Sequence, residues 1–183
     1  MDLADILLIG AGLSMDAAAV SMTNGMVYKN LTKIKYAALP DFFGAFQMLM
    51  PILGYYAGGL FADIMAKYSG IVVFVILGII GGKMIKEGFD DMKKHENAPS
   101  RVMDLKTLFF QAVATSIDAF AVGIGFSALG IGIIGPSAII GATTAVIVVI
   151  AILIGRKFGD MLGSRAEVLG GAILVIIGIK ALL

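Results

Sequence analysis

GLSMDAAA, residues Gly12 to Ala19, decides how this chain is read, because it sets a carboxylate, Asp16, among apolar and small side chains. It has a twin in ATSIDAFA, Ala114 to Ala121, so Ser14, Met15, Asp16 and Ala17 answer to Ser116, Ile117, Asp118 and Ala119 at a constant spacing of 102 residues. Asp16 stands 13 residues from Leu3 and 13 from Lys29. As helix, that is about 20 Å from either flank. An acid so far inside an apolar helix needs a reason, and the surrounding composition says what kind.

Hydrophobic residues make up 59% of the 183, charged residues 15%, and the mean hydropathy is +0.98. A soluble domain is apolar to only about 45–50%. Six apolar runs, near residues 3–25, 36–61, 69–85, 106–128, 130–154 and 166–183, are each long enough for a helix to cross a hydrocarbon core of about 30 Å. The expected fold is therefore all-α integral membrane, with six transmembrane helices. Little chain is left over for a soluble domain, which excludes nucleotide-driven machinery, soluble enzymes and nucleic-acid partners, and no resident cofactor is expected. The first run lacks the basic start and small-residue cleavage site of a signal peptide, so it reads as a retained span. No cysteine occurs, which removes disulfides, thiolate metal sites and thiol catalysis together.

Short cytoplasmic loops collect Lys and Arg. With the N-terminus outside, the inner segments hold Lys29, Lys33, Lys35, Lys83, Lys86, Lys93, Lys94, Arg101, Lys106, Arg156, Lys157 and Arg165, which is 12 of the 14 basic residues. Only Lys67 and Lys180 fall outside. The loop at Ile131 to Pro136 is uncharged. This predicts a multi-pass protein of the inner (plasma) membrane with both termini outside.

The twin motifs belong to a longer internal repeat. Gly44, Ala45, Gln47, Gly58, Phe61, Asp63, Gly81 and Lys83 align with Gly141, Ala142, Thr144, Gly155, Phe158, Asp160, Gly178 and Lys180 at a spacing of 97 residues. Residues 1–85 form a first three-helix repeat, 86–105 a polar cytoplasmic linker containing His95, and 106–183 a second three-helix repeat. Three spans per unit is an odd number, so the halves lie with opposite orientation. Two inverted three-helix repeats are a plan of secondary transporters, whose substrate site sits at the midplane between the halves.

Asp16 and Asp118 carry the chemistry. A charged side chain at the bilayer centre costs at least about 2.5 kcal/mol and usually faces a pathway, a partner or an ion. No basic residue shares the depth of this pair, so a divalent cation answers the cost, with hard oxygen donors suiting Mg²⁺, Ca²⁺ and Mn²⁺. A protonated or hydrogen-bonded packing pair is the plain alternative. Gln47 sits at the midplane of the second run, and Pro51, four residues on, has no N–H to bond the Gln47 carbonyl. Gln47 can thus offer a side-chain and a backbone oxygen, while its repeat mate Thr144 offers a hydroxyl. Ser14 and Ser116 are expected to bond back to helix carbonyls, and Met15 to face lipid.

GLSMDAAAVSMTNG (Gly12 to Gly25) and ATSIDAFAVGIGFSALG (Ala114 to Gly130) resemble the two motifs of the MntP family of manganese efflux pumps, small six-helix proteins related to the LysE transporter superfamily. The resemblance covers nearly the whole chain. It implies that Asp16 and Asp118 bind metal, that Gly25 matters for activity, and that the transported ion is Mn²⁺ leaving the cytoplasm. Some members carry an acid where this chain has Gln47. The residues themselves reach a divalent-cation secondary transporter, not an enzyme, with metal ion and lipid as partners and a homo-oligomer left open. An exporter of amino acids or another small solute is the rival, disfavoured because a zwitterion's carboxylate would want a basic group at the site.

Overall fold

A computed structural model describes residues 2–28, 33–57, 59–94, 103–162 and 165–182. Among these the chain is almost entirely helical, with no strand: α1 (Leu3–Val27), α2 (Lys33–Ala57), α3 (Gly59–Lys94), α4 (Leu105–Thr115), α5 (Ile117–Ala128), α6 (Ile134–Leu162) and α7 (Arg165–Lys180). Four stretches are long and apolar enough to cross a membrane, namely Leu3–Val27, Ala37–Ala57, Leu105–Ala128 and Ile134–Leu162, and Val168–Lys180 is a shorter apolar helix. The third expected run lies within α3.

Three boundaries differ from expectation. The fourth run, 106–128, is not one helix but two, interrupted at Ser116 with φ −114° and ψ 5°. Residues 62–68, between the second and third runs, continue α3 rather than forming a loop, and α3 runs on to Lys94, through the first part of the expected linker. Beyond the apolar run its backbone bonds are still satisfied within the helix, and Lys83 pairs with Glu87 one turn on at 3.9 Å, so nothing ends it at the hydrocarbon edge. His95 and residues 96–102 lie outside the described residues.

Local chemistry accounts for the ends. Asp2 N donates to Asp5 Oδ2 at 3.0 Å before α1, and Asp104 accepts from Lys106 N at 3.3 Å to start α4. After α5, Gly130 adopts φ +67°, with Ile131 N bonded to Phe126 O at 2.9 Å and Gly130 N to Ser127 O at 3.1 Å. That is a Schellman ending, and glycine is the residue that takes the left-handed position without strain. It lets the chain reverse into α6 within a few residues.

Tertiary packing pairs helices that are distant in sequence. α1 lies chiefly on α6, α3 on α7, and α2 on both α5 and α6, whereas α1 scarcely touches α2, or α6 α7. Small residues allow these approaches, as expected where packing must occur in lipid. A Cβ on Gly44 would stand 2.9 Å from Gly141 O, and one on Gly141 2.8 Å from Gly44 O. A Cβ on Gly81 would stand 2.6 Å from Gly171 O and one on Gly171 2.6 Å from Gly81 O, and Gly178 faces Phe74. Gly10 meets Ile140 and Thr143 while Gly25 meets Ile152 and Arg156, so α1 and α6 run parallel. Because the short turn after α5 makes α5 antiparallel to α6, α4 and α5 also run antiparallel to α1.

Candidate metal site

The break at Ser116 is built from two adjacent hydroxyls. Thr115 Oγ1 donates to Gln111 O (3.0 Å), with Ala112 O at 3.3 Å, and Ser116 Oγ donates to Ala112 O (2.7 Å) with Val113 O at 3.2 Å. Ser/Thr groups bonded back to helix carbonyls bend helices, and here two in succession end one helix and begin another. The matching place in α1 has Leu13 before Ser14, so a single hydroxyl, Ser14 Oγ, bonds back to Gly10 O, and α1 stays continuous.

The break puts Asp118 in the first turn of α5, where its Oδ1 accepts from Ala119 N at 2.8 Å. Helix N-termini have N–H groups without helical partners, and a carboxylate there is favourably placed. Asp118 is exposed and Asp16 partly buried.

Their relative height follows from a contact that sequence reasoning passed over. Asn24 Nδ2 donates to Gln111 Oε1 at 2.9 Å and Gln111 Nε2 donates to Asn24 Oδ1 at 3.3 Å, with both side chains fully buried. Asn24 is eight residues after Asp16, and Gln111 seven before Asp118. On antiparallel helices the register that pairs Asn24 with Gln111 brings Asp16 level with Asp118. The available signal was a carboxamide in each motif-bearing span at nearly the same offset from its acid.

Of the other expected site residues, Ser14, Gln47 and Thr144 converge where α1, α2 and α6 meet. Ser14 Oγ and Thr144 Oγ1 are 2.8 Å apart, and Thr144 Oγ1 also lies 3.0 Å from Ile140 O. Gln47 Nε2 donates to Leu13 O at 2.9 Å. Since a carbonyl only accepts, this bond fixes which end of the amide points at α1. The other end, Gln47 Oε1, is buried with no partner. Buried polar atoms are nearly always satisfied, so an orphan acceptor asks what it accepts from. Pro51 lies within the continuous α2, and its carbonyl packs on Gly123 of α5. Gly25 seats α1 on α6: a Cβ there would stand 2.5 Å from Ile152 O. Among the described residues no three His, Cys, Asp or Glu side chains gather as a metal cluster.

The family model described as "Putative manganese efflux pump" matches residues 30–182. The chain belongs to this family. Among its relatives, "Putative manganese efflux pump MntP 2" of Clostridium botulinum is 42% identical over 98% of this chain and 94% of its own length. "Putative manganese efflux pump MntP" of Ruminiclostridium cellulolyticum is 42% identical, covering 98% and 95%, and that of Clostridium perfringens 40%, covering 100% and 95%. The relatives are named as pumps, in line with the expectation of a transporter rather than an enzyme. No solved structure matches the chain.

Proposed function

We propose that this chain is a secondary transporter that exports a divalent cation, Mn²⁺ foremost, from the cytoplasm across the plasma membrane, through a midplane site built on Asp16 and Asp118. The observation that carries the reading is the Asn24–Gln111 register, which brings the two acids level on antiparallel helices, in a core whose Gln47 Oε1 has no partner. Two carboxylates neutralise a 2+ ion, and Gln47 Oε1 adds a neutral hard donor of the kind Mn²⁺ takes. Thr144 is a weaker donor beside it, already engaged with Ser14 and Ile140. The names of the relatives support manganese among the oxygen-seeking ions.

Inverted repeats are supported by contacts between repeat mates. Gly44 touches Gly141, its own counterpart at a spacing of 97 residues, as residues on a two-fold axis do. The Gly81–Gly171 contact has its image in Gly178–Phe74 under the same spacing. Helices related by such an axis can rock about a fixed site, which is how alternating access works in transporters of this plan.

Metal uptake into proteoliposomes, measured across Mn²⁺, Fe²⁺, Cd²⁺ and Mg²⁺ with lysine as a further solute, tests the reading. Saturable Mn²⁺ movement, lost in Asp16→Asn and in Asp118→Asn while each variant still inserts, is the expected result. Unimpaired transport in the double variant, or transport of lysine and no metal, would overturn it.

A further inference from the structure

We infer that the reciprocal Asn24–Gln111 carboxamide pair is the gate that closes the metal path on the side of the membrane where α1 ends and α4 begins. This rests on the proposed transport reading. The pair stands between that side and the acids, about 12 Å from Asp16 along α1 and about 10 Å from Asp118 along α4 and α5. It joins α1, which carries Asp16, to α4, which leads across the break at Ser116 into the helix that carries Asp118, and α1 otherwise touches α4 sparsely, whereas it is seated firmly on α6. The two hydrogen bonds thus tie together elements that little else holds.

Two further features fit a gate better than a strut. Along α1 between Asp16 and Asn24, the hydroxyl Ser21 Oγ, one turn before Asn24, is buried without a partner. An oxygen left unsatisfied beside the pair is a place where water or a dehydrating ion gains contacts once the seam opens. The pair itself is neutral and self-complementary. When it parts, each amide can turn its oxygen to a passing cation or its N–H to water, so opening leaves no bare charge, and closing excludes water again.

The absence of cysteine makes the test direct. In Ser21→Cys, the new thiol should react slowly with an impermeant thiol reagent applied from the α1 C-terminal side of reconstituted vesicles. Adding Asn24→Ala or Gln111→Ala should raise that rate about tenfold or more from this side only, while Asn24→Gln with Gln111→Asn, which can still exchange both bonds, should stay slow. Equal rates in all variants, or equal rises from both sides, would overturn the gate. In a second arm, Asn24→Cys/Gln111→Cys is bridged by a short reducible thiol crosslinker. Locking should stop Mn²⁺ transport and reductant should restore it, with single-cysteine variants unaffected. Full transport in the locked protein would mark the pair as a static strut and overturn the proposal; if the unlocked double variant does not transport, the labelling rates decide. The labelling arm needs no metal, so failure of the two-acid site would appear separately, as transport surviving Asp16→Asn.

Discussion

Gln47 shows how one side chain can serve two helices at once. Its N–H end holds α2 to α1 at Leu13 O, and that bond aims its oxygen elsewhere. Gln47→Ala removes both functions, and Mn²⁺ affinity should fall by about tenfold or more in equilibrium binding, the scale of one charge-assisted contact. Thr144→Ala should cost less, because its hydroxyl is shared between Ser14 and Ile140 O and its loss removes bonds worth about 1 kcal/mol of stability. A Thr144→Ala loss equal to that of Gln47→Ala would place the hydroxyl among the ligands. That Gln47 lies inside the packed helices was legible from its depth in the second apolar run. Its orphaned oxygen was not, because which end of an amide is engaged depends on a carbonyl from another helix.

Among the elements, α1 and α2 set the tightest conditions. Gly25→Ala puts a methyl 2.5 Å from Ile152 O and 3.1 Å from Arg156 N, both backbone atoms that cannot swing aside. α1 must then lift from α6, at a cost of about 1–3 kcal/mol. A lower melting temperature in detergent and reduced transport should follow. Gly12→Ala, where a Cβ meets nothing within 4 Å, should match the parent in both measurements. Pro51→Ala restores an N–H to α2 and lets the Gln47 carbonyl rejoin the helical ladder. Weaker Mn²⁺ binding in isotherms, with the fold retained, would tie that carbonyl to the site; unchanged affinity would leave the proline to its packing on Gly123. The division of the fourth run at Ser116 belongs to this scale too. Its cause, adjacent Thr115 and Ser116, is printed in the sequence, yet hydroxyls also sit harmlessly on straight helices, and only the carbonyls they capture reveal the bend.

For the whole molecule, orientation decides the direction of transport. Gly132 is exposed in the turn before α6 with open space around it, and Asp90 is exposed near the polar end of α3. Single cysteines at these positions should label oppositely in intact cells with an impermeant reagent: Gly132→Cys reactive, Asp90→Cys protected. The reverse pattern would invert the proposed topology. Ser137, nearer the start of α6, is fully buried and would report poorly from either side.

Hydropathy and the twin SMDA and SIDA motifs by themselves determined a helical membrane protein with an acid inside each of two apolar stretches, because the cost of exposing apolar surface to water acts on residue type alone. Spacing likewise marked Gly44 with Gly141 as equivalents. Only the tertiary structure decided that they touch, that α1 lies on α6 rather than on its neighbour α2, and that Asn24 meets Gln111 across 87 residues of chain. Helix–helix choice in lipid turns on close fit and a few hydrogen bonds between surfaces of similar hydrophobicity. That fit is a property of two helices together, and neither sequence segment carries it alone.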